Sequence, residues 1–419
     1  MKSIKESAQA MIKSILAENM PEESVRRALI AHDFGSKKVC LVAIGKAAWT
    51  MAKAASDYLG EKIEKGVVIT KYEHGMGALP RLKIFEAGHP TPDENTIIAT
   101  QKVLDLIKDL TPDDEVLFLV SGGGSALFEA PQDGITLDEL VNLTNDLLAS
   151  GADIVEMNMI RKRLSKVKAG RFAEECMPAS VFAIVLSDVL GDRLDTIASG
   201  PTAPDGSTTK EAMAVVAKYN LRLTAAQKAH LSQETPKQLD NVKTTITGSV
   251  RSLCESAAKS AADLGFKSYV LTTTLNCEAS EAGRFLASIA ADTAAGLNHF
   301  QRPCAIIAGG ETTVHLKGTG KGGRNQELAL TASIGISDLD QTLIFSLGSD
   351  GTDGPTDAAG GIVDGQTIAK LNALGHDVDK ILANNDAYHG LKAVDGLIIT
   401  GPTGTNVNDV SVILCGVEE

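Results

Sequence analysis

Two α/β domains are what this chain predicts, and three observations predict them. Continuous apolar runs such as KKVCLVAIG (37–45), EVLFLVSGG and VFAIVLSDV (181–189) alternate with helical patterns along most of the sequence. Strands apolar on both faces belong in a parallel sheet covered by helices. At 419 residues the chain exceeds the length at which a single core stops growing. Glycine-rich turns also follow one apolar run after another: GGGS at Gly122–Ser125, GGETT at Gly309–Thr313, GTGKGGRNQE at Gly318–Glu327 and SDGTDGPTDAAGG at Ser349–Gly361.

The elements follow in order. MKSIKESAQAMIKSILAENM carries an apolar stripe at Ile4, Ala8, Met11 and Ile15, a helical period rather than the apolar core of a signal segment, and the first helix ends near Ala31. Residues 37–45 form a strand, and AAWTMAKAASDYLG a helix stopped by Gly60. GVVITK, LKIFEAG and EVLFLVSGG are further strands, LDELVNLTNDLLASG (137–151) is an amphipathic helix, and 181–189 is a fully buried strand. From Gly206 to Val242 the pattern turns polar and helical, and SQETPKQLDN (232–241) is the expected linker between domains 1–236 and 237–419. Beyond it TTITGS, KSYVLTTT, PCAIIAGG, TTVHLK and TLIFSLGSD continue the strand series. GLIITG and VSVILCG close it as a pair of strands joined by PTGTNVND. Ligand is expected in the cleft between the domains.

A net charge of −13 argues against a nucleic-acid binder. The six cysteines are scattered, without CxxC or zinc-like spacing, and fit reduced thiols. No run approaches the roughly 18 apolar residues of a membrane helix. A cytoplasmic protein without a membrane partner is expected.

The turns carry the chemistry. Glycine allows close backbone approach, and several such turns at strand ends suggest a crevice for phosphates. Lys46 directly follows strand 38–44 and either points into that crevice or begins a helix in solvent. GGGS either cradles phosphate or makes a tight turn; no Lys-Ser/Thr follows at Walker A spacing. Asp188, Asp192 and Asp195 follow a buried strand and can bind a divalent metal, orient a hydroxyl or cap a helix, with Asp188 best placed for chemistry. Gly318, Gly320 and Gly323 make a formal GxGxxG, but Lys321 and Arg324 suit a phosphate better than a dinucleotide turn. Asp350, Asp353 and Asp357 lack EF-hand spacing and leave metal, substrate or turn roles open, with Glu311 able to join them. Asn406 fits a turn or a nucleotide contact, and His89 a structured loop.

Taken together, AIGKAAWTMAKAA, EAGHPTPDENT, VSGGGSALFEAP, LSDVLGDRLDTIASGPTAPD, AGGETTVHLKGTGKGGRNQELAL, SDGTDGPTDAAGG, NDAYH and TGPTGTNVNDV resemble the glycerate 2-kinase family across about residues 40 to 412. The resemblance implies an N-terminal Rossmann-like parallel sheet and a C-terminal mixed α/β domain of MOFRL type, with the active site in the cleft. It implies ATP-dependent phosphorylation of D-glycerate at C2, with Mg²⁺ or a related divalent cation, in a non-phosphorylating Entner–Doudoroff-type route. On that basis the catalytic residues are Lys46 and Arg324, which the family uses, with Asp188 as base or metal holder. Expected nucleotide contacts are Ser121, Gly122, Gly123, Gly124, Ser125, Glu311, Thr312, Lys321, Asn325 and Asn406, and expected metal ligands are Asp192, Asp350 and Asp353. Expected partners are the small molecules D-glycerate and ATP, with a homodimer left open. Some members carry an older hydroxypyruvate reductase label. That NAD(P)-dependent alternative lacks a strand–GxGxxG–helix unit with its ribose acid, and a non-catalytic sensor of phosphorylated metabolites would not need the intact charged loops.

Overall fold

A computed structural model describes residues 3–417. The chain forms two compact units, one of Pro21–Thr247 and a second that combines the residues up to Met20 with those from Gly248 onward.

The first unit is built on strands β1 (Lys38–Ile44), β2 (Ile63–Lys71), β3 (Leu82–Ala87), β4 (Asp114–Val120), β5 (Ser180–Leu186) and β6 (Val242–Gly248), in the order β3-β2-β1-β4-β5-β6. The pairs among β1 to β5 are parallel. Alternate side chains of β1 enter different cores. Val42 and Ile44 pack with Phe118 and Phe172 on one face, and Leu41 and Ala43 with Met51 and Phe182 on the other. Apolar side chains are therefore needed at successive positions, which is why the run reads as continuous rather than alternating. The strand order reverses between β1 and β4. In an open α/β sheet that reversal opens a crevice at the carboxyl ends of the strands, where Gly45–Lys46 and the GGGS turn stand.

The second unit holds β7 (Lys267–Leu275), β8 (Cys304–Gly310), β9 (Thr342–Gly348), β10 (Gly360–Asp364), β11 (Leu397–Ile398) and β12 (Asp409–Cys415), ordered β11-β10-β9-β12-β8-β7. Only β7 and β8 pair in parallel; the other neighbours are antiparallel, so the sheet is mixed. No helix among the described residues is long and apolar enough to cross a membrane.

Three expectations change. The unit boundary falls at residues 247–248 rather than 236–237, because TTITGS completes the first sheet as its edge strand β6. The N-terminal helix Ile4–Glu18 joins the second unit: Met11 and Ile15 are buried, and Asn19 donates to Ser256 at 2.9 Å. The C-terminal strands are not a hairpin either. All seven residues of β12 are buried and it inserts between β8 and β9, whereas β11 is a two-residue edge. TTVHLK makes only an isolated bridge at Thr313.

Candidate functional site

In the first unit the turns after β1 and β4 lock together. Gly45 has φ +113°, and a Cβ there would lie 2.3 Å from Ser121 Oγ. Such a backbone, pressed on its neighbour, tolerates only glycine. The Ser121 hydroxyl accepts from the Ala47 amide at 3.0 Å and donates to the Ile44 carbonyl at 3.3 Å, while the Lys46 amide donates to Gly122 O at 2.9 Å. Ser121 is thus a clasp between the two turns. A Cβ on Gly122 would lie 2.3 Å from the Asp188 carboxylate, and one on Gly123 would lie 2.9 Å from the His89 ring and 3.3 Å from the Lys46 side chain. The missing side chains let an acid, a histidine and a lysine converge on one turn.

The cavity here has a volume of about 300 Å³ and is lined by His89, Gly122–Ser125, Asn158, Arg161 and Asp188. Burial pushes the Asp188 carboxyl above the ordinary aspartate range, opposed by the charge of Lys46. Burial and then Lys46 lower the His89 imidazole, favouring its neutral form. A carboxylate of raised basicity beside a cation is a combination suited to taking a proton from a hydroxyl. Ser125 exchanges a hydrogen bond with Ser199 at 3.0 Å. Asp192, at φ +54°, makes a turn whose amide donates to Val189 O, and it does not line this cavity. Asp195 is held by Arg193 at 3.0 Å and Lys162 at 3.4 Å.

The second unit treats its charged turns differently. The Arg324 fork is closed on Asp409, with Nη2 2.9 Å from Oδ1 and Nε on Oδ2, and Glu311 lies 3.4 Å from Nη1. These acids hold the guanidinium charge even more firmly than usual. Asp353 is 2% exposed and accepts from the Asn325 amide at 3.2 Å, the Gln326 amide at 2.9 Å and Gln326 Nε2 at 3.0 Å. It therefore caps, from a distant loop, the helix Arg324–Gly335, whose own N-cap is Gly323. Asn325 is buried and accepts from Ser346 Oγ at 2.6 Å.

Lys321 lays its ammonium 4.5 Å from the Tyr388 ring centroid, and its amide donates to Asp386. Thr312 is buried. Asp350 accepts from the Thr352 amide at 3.0 Å, and Asn406 from the Asn408 amide at 3.3 Å, both local turn bonds.

The expected metal set is not assembled. Among the described residues no group of three or more His, Cys, Asp or Glu side chains is placed to hold a metal ion. Asp353 has its oxygens engaged in helix capping, and Asp350 in a local turn bond. These residues do not fit a protein-built metal cage. Sequence reasoning also missed Asp409, Asn158 and Arg161. An acid opening an apolar strand was a usable signal for Asp409; the other two sit on the helix Ile154–Arg163, Asn158 in its middle and Arg161 in its last turn, with no glycine turn beside them.

Comparison with known proteins agrees with this architecture. The model of a domain of unknown function, DUF4147, matches residues 5–232, and that of the MOFRL family matches residues 304–409. A D-glycerate 2-kinase of Thermotoga maritima is 52% identical over 98% of both chains. A glycerate 2-kinase of Pyrococcus horikoshii is 45% identical over 90% of this chain and 87% of its own. The crystal structure of a Thermotoga maritima glycerate kinase superposes with a TM-score of 0.95, covering 98% of this chain and 99% of that one at 52% identity. With nearly full-length similarity at this identity and the same fold, the chain belongs to the glycerate 2-kinase family.

Proposed function

We propose that the protein transfers the γ-phosphoryl group of ATP to the C2 hydroxyl of D-glycerate, giving 2-phosphoglycerate and ADP. The observation that carries this is the first unit's cavity, where the Asp188 carboxylate packs against Gly122 of the GGGS turn beside Lys46 and His89. The glycerate 2-kinase names of the relatives supply the substrate class.

Phosphoryl transfer calls for positioning and charge neutralisation more than covalent help. The C2 oxygen forms the new bond to phosphorus, the bond from phosphorus to the ADP oxygen breaks, and the hydroxyl proton passes to Asp188. Lys46 neutralises the transferring phosphoryl, and the backbone of Gly122–Ser125 gives the phosphates close approach. Within the second unit, taken by itself, Lys321 and Arg324 remain proposed phosphate-binding residues, Arg324 as a guanidinium steadied by Asp409 and Glu311. Glu311, Thr312, Asn325 and Asn406 shape those turns. A divalent cation would come with the nucleotide phosphates, as Mg²⁺ commonly does. A non-phosphorylating Entner–Doudoroff-type route is the proposed setting of the reaction, supported only by the family resemblance. Reductase chemistry has no comparable support: Gly318 and Gly320 pack on Asn384 and Asp386 rather than on a dinucleotide-binding turn.

Phosphorus NMR of the product from purified protein, ATP, Mg²⁺ and D-glycerate tests this. A 2-phosphoglycerate signal that vanishes in Lys46→Ala is expected. A 3-phosphoglycerate signal overturns the regiochemistry, and no phosphoester from folded protein overturns the reaction.

A further inference from the structure

We infer that Arg161 and Asn158 form the subsite that grips the acceptor's carboxylate; this rests on the glycerate kinase function proposed above. Both lie on the helix Ile154–Arg163, whose start is fixed by a reciprocal cap between Asp153 and Glu156. Three residues apart, they project from one helix face, and both line the cavity that holds the GGGS turn and Asp188.

The helix ends in three consecutive cations, and two of them are committed to the protein. Lys162 lies 3.4 Å from Asp195 and 3.5 Å from Asp205. Arg163 is fully buried, donates to Ser207 Oγ and Ser207 O at 2.8 Å each, and pairs with Asp205. Arg161 alone of the three has neither an ion pair nor a side-chain hydrogen bond among the described residues. Asn158 is only 8% exposed, and its amide likewise has no partner among the described residues.

The Asn158 side chain is mostly buried and Arg161 is half-buried, and both bring polar groups without a protein partner among the described residues to the same cavity. Together they present a planar fork of N–H donors and an amide that both donates and accepts. That pattern matches a carboxylate with a hydroxyl on the adjacent carbon. Held there, a 2-hydroxy acid shares the cavity with the base that would deprotonate it. The volume of about 300 Å³ is small for a ligand pocket, which favours a small acid over a whole nucleotide. The Arg324 fork, the alternative carboxylate grip, is already closed by Asp409.

The test compares wild type with Arg161→Ala, Arg161→Lys and Asn158→Ala by initial rates, thermal melting and saturation-transfer NMR of D-glycerate without nucleotide. Losing a charged hydrogen-bonding partner is expected to raise the KM for D-glycerate roughly 100-fold in Arg161→Ala. Arg161→Lys, which keeps charge but loses the fork, should be impaired less, on the order of 10-fold. The KM for ATP and the melting temperature should stay near wild type, and the NMR transfer should disappear in Arg161→Ala.

A rise in the KM for ATP instead assigns the pair to nucleotide phosphate and overturns the proposal. Unchanged KM values, or a lower melting temperature with unchanged glycerate KM, reduce Arg161 to a helix-end cation and also overturn it. Wild type that binds D-glycerate through Arg161 yet forms no phosphoester would keep the subsite and remove the kinase function. Folded wild type that neither binds nor phosphorylates D-glycerate overturns both.

Discussion

The turns at the carboxyl ends of β1, β4 and β5 and the turns around Arg324 are made from the same residue types, but their charges have different fates. In the first unit Asp188, Lys46, His89 and Arg161 gather around glycines that leave room for them, and a cavity remains. In the second unit Arg324 closes on Asp409 and Glu311, and Asp353 closes on the first turn of the helix behind it. A glycine-rich turn with acids and bases is therefore ambiguous on its own. What distinguishes the two sets of turns is that the first leaves a cavity beside its charged groups, whereas Arg324 and Asp353 are closed on protein partners.

That contrast can be broken most forcefully at Gly122. Its φ is ordinary, so alanine there strains nothing locally, yet the added methyl would sit 2.3 Å from Asp188 Oδ2 and push the carboxylate away. Gly122→Ala should lower kcat at least roughly 100-fold, as expected for a misplaced catalytic group, with the protein still folded. Near-normal turnover would mean that Asp188 need not lie on this turn. The second unit should respond in stability instead. Asp353→Ala strands the Asn325 and Gln326 amides at a buried helix start, at a cost of about 2–4 kcal/mol by denaturant unfolding. Full stability with lost nucleotide affinity would contradict the capping role and return Asp353 to the ligands.

The first sheet was legible because its strands are apolar on both faces, and the GGGS turn because three glycines in a row at a strand end need a reason. Lys46, Asp188 and His89 do lie together, although His89 carried no signal beyond its loop. The boundary was misplaced because β6 is a half-exposed edge strand with little apolar pattern of its own. The N-terminal helix could not be assigned to either unit from its stripe alone, since an amphipathic face specifies burial but not the partner. Asp353 looked like a metal ligand for the same reason it caps well: a carboxylate beside glycines is equally good at receiving amide protons. Arg161 stayed hidden because RKR at a helix end reads as a solvated cluster, and only the structure shows which of the three cations lacks a partner among the described residues.

The most direct test is the pH dependence of kcat/KM for the wild type beside Asp188→Asn. With its carboxyl raised by burial, the base is lost as pH falls through a value above the ordinary aspartate pKa, so the acidic limb should appear there. The sign for stability is opposite: a carboxyl whose folded pKa is raised destabilises the fold when ionised. Asp188→Asn should therefore melt no lower than wild type at neutral pH while losing about 10²–10⁴-fold in kcat, the range for general-base removal. Turnover within a few-fold of wild type, with the acidic limb unmoved, would show that Asp188 is not the base.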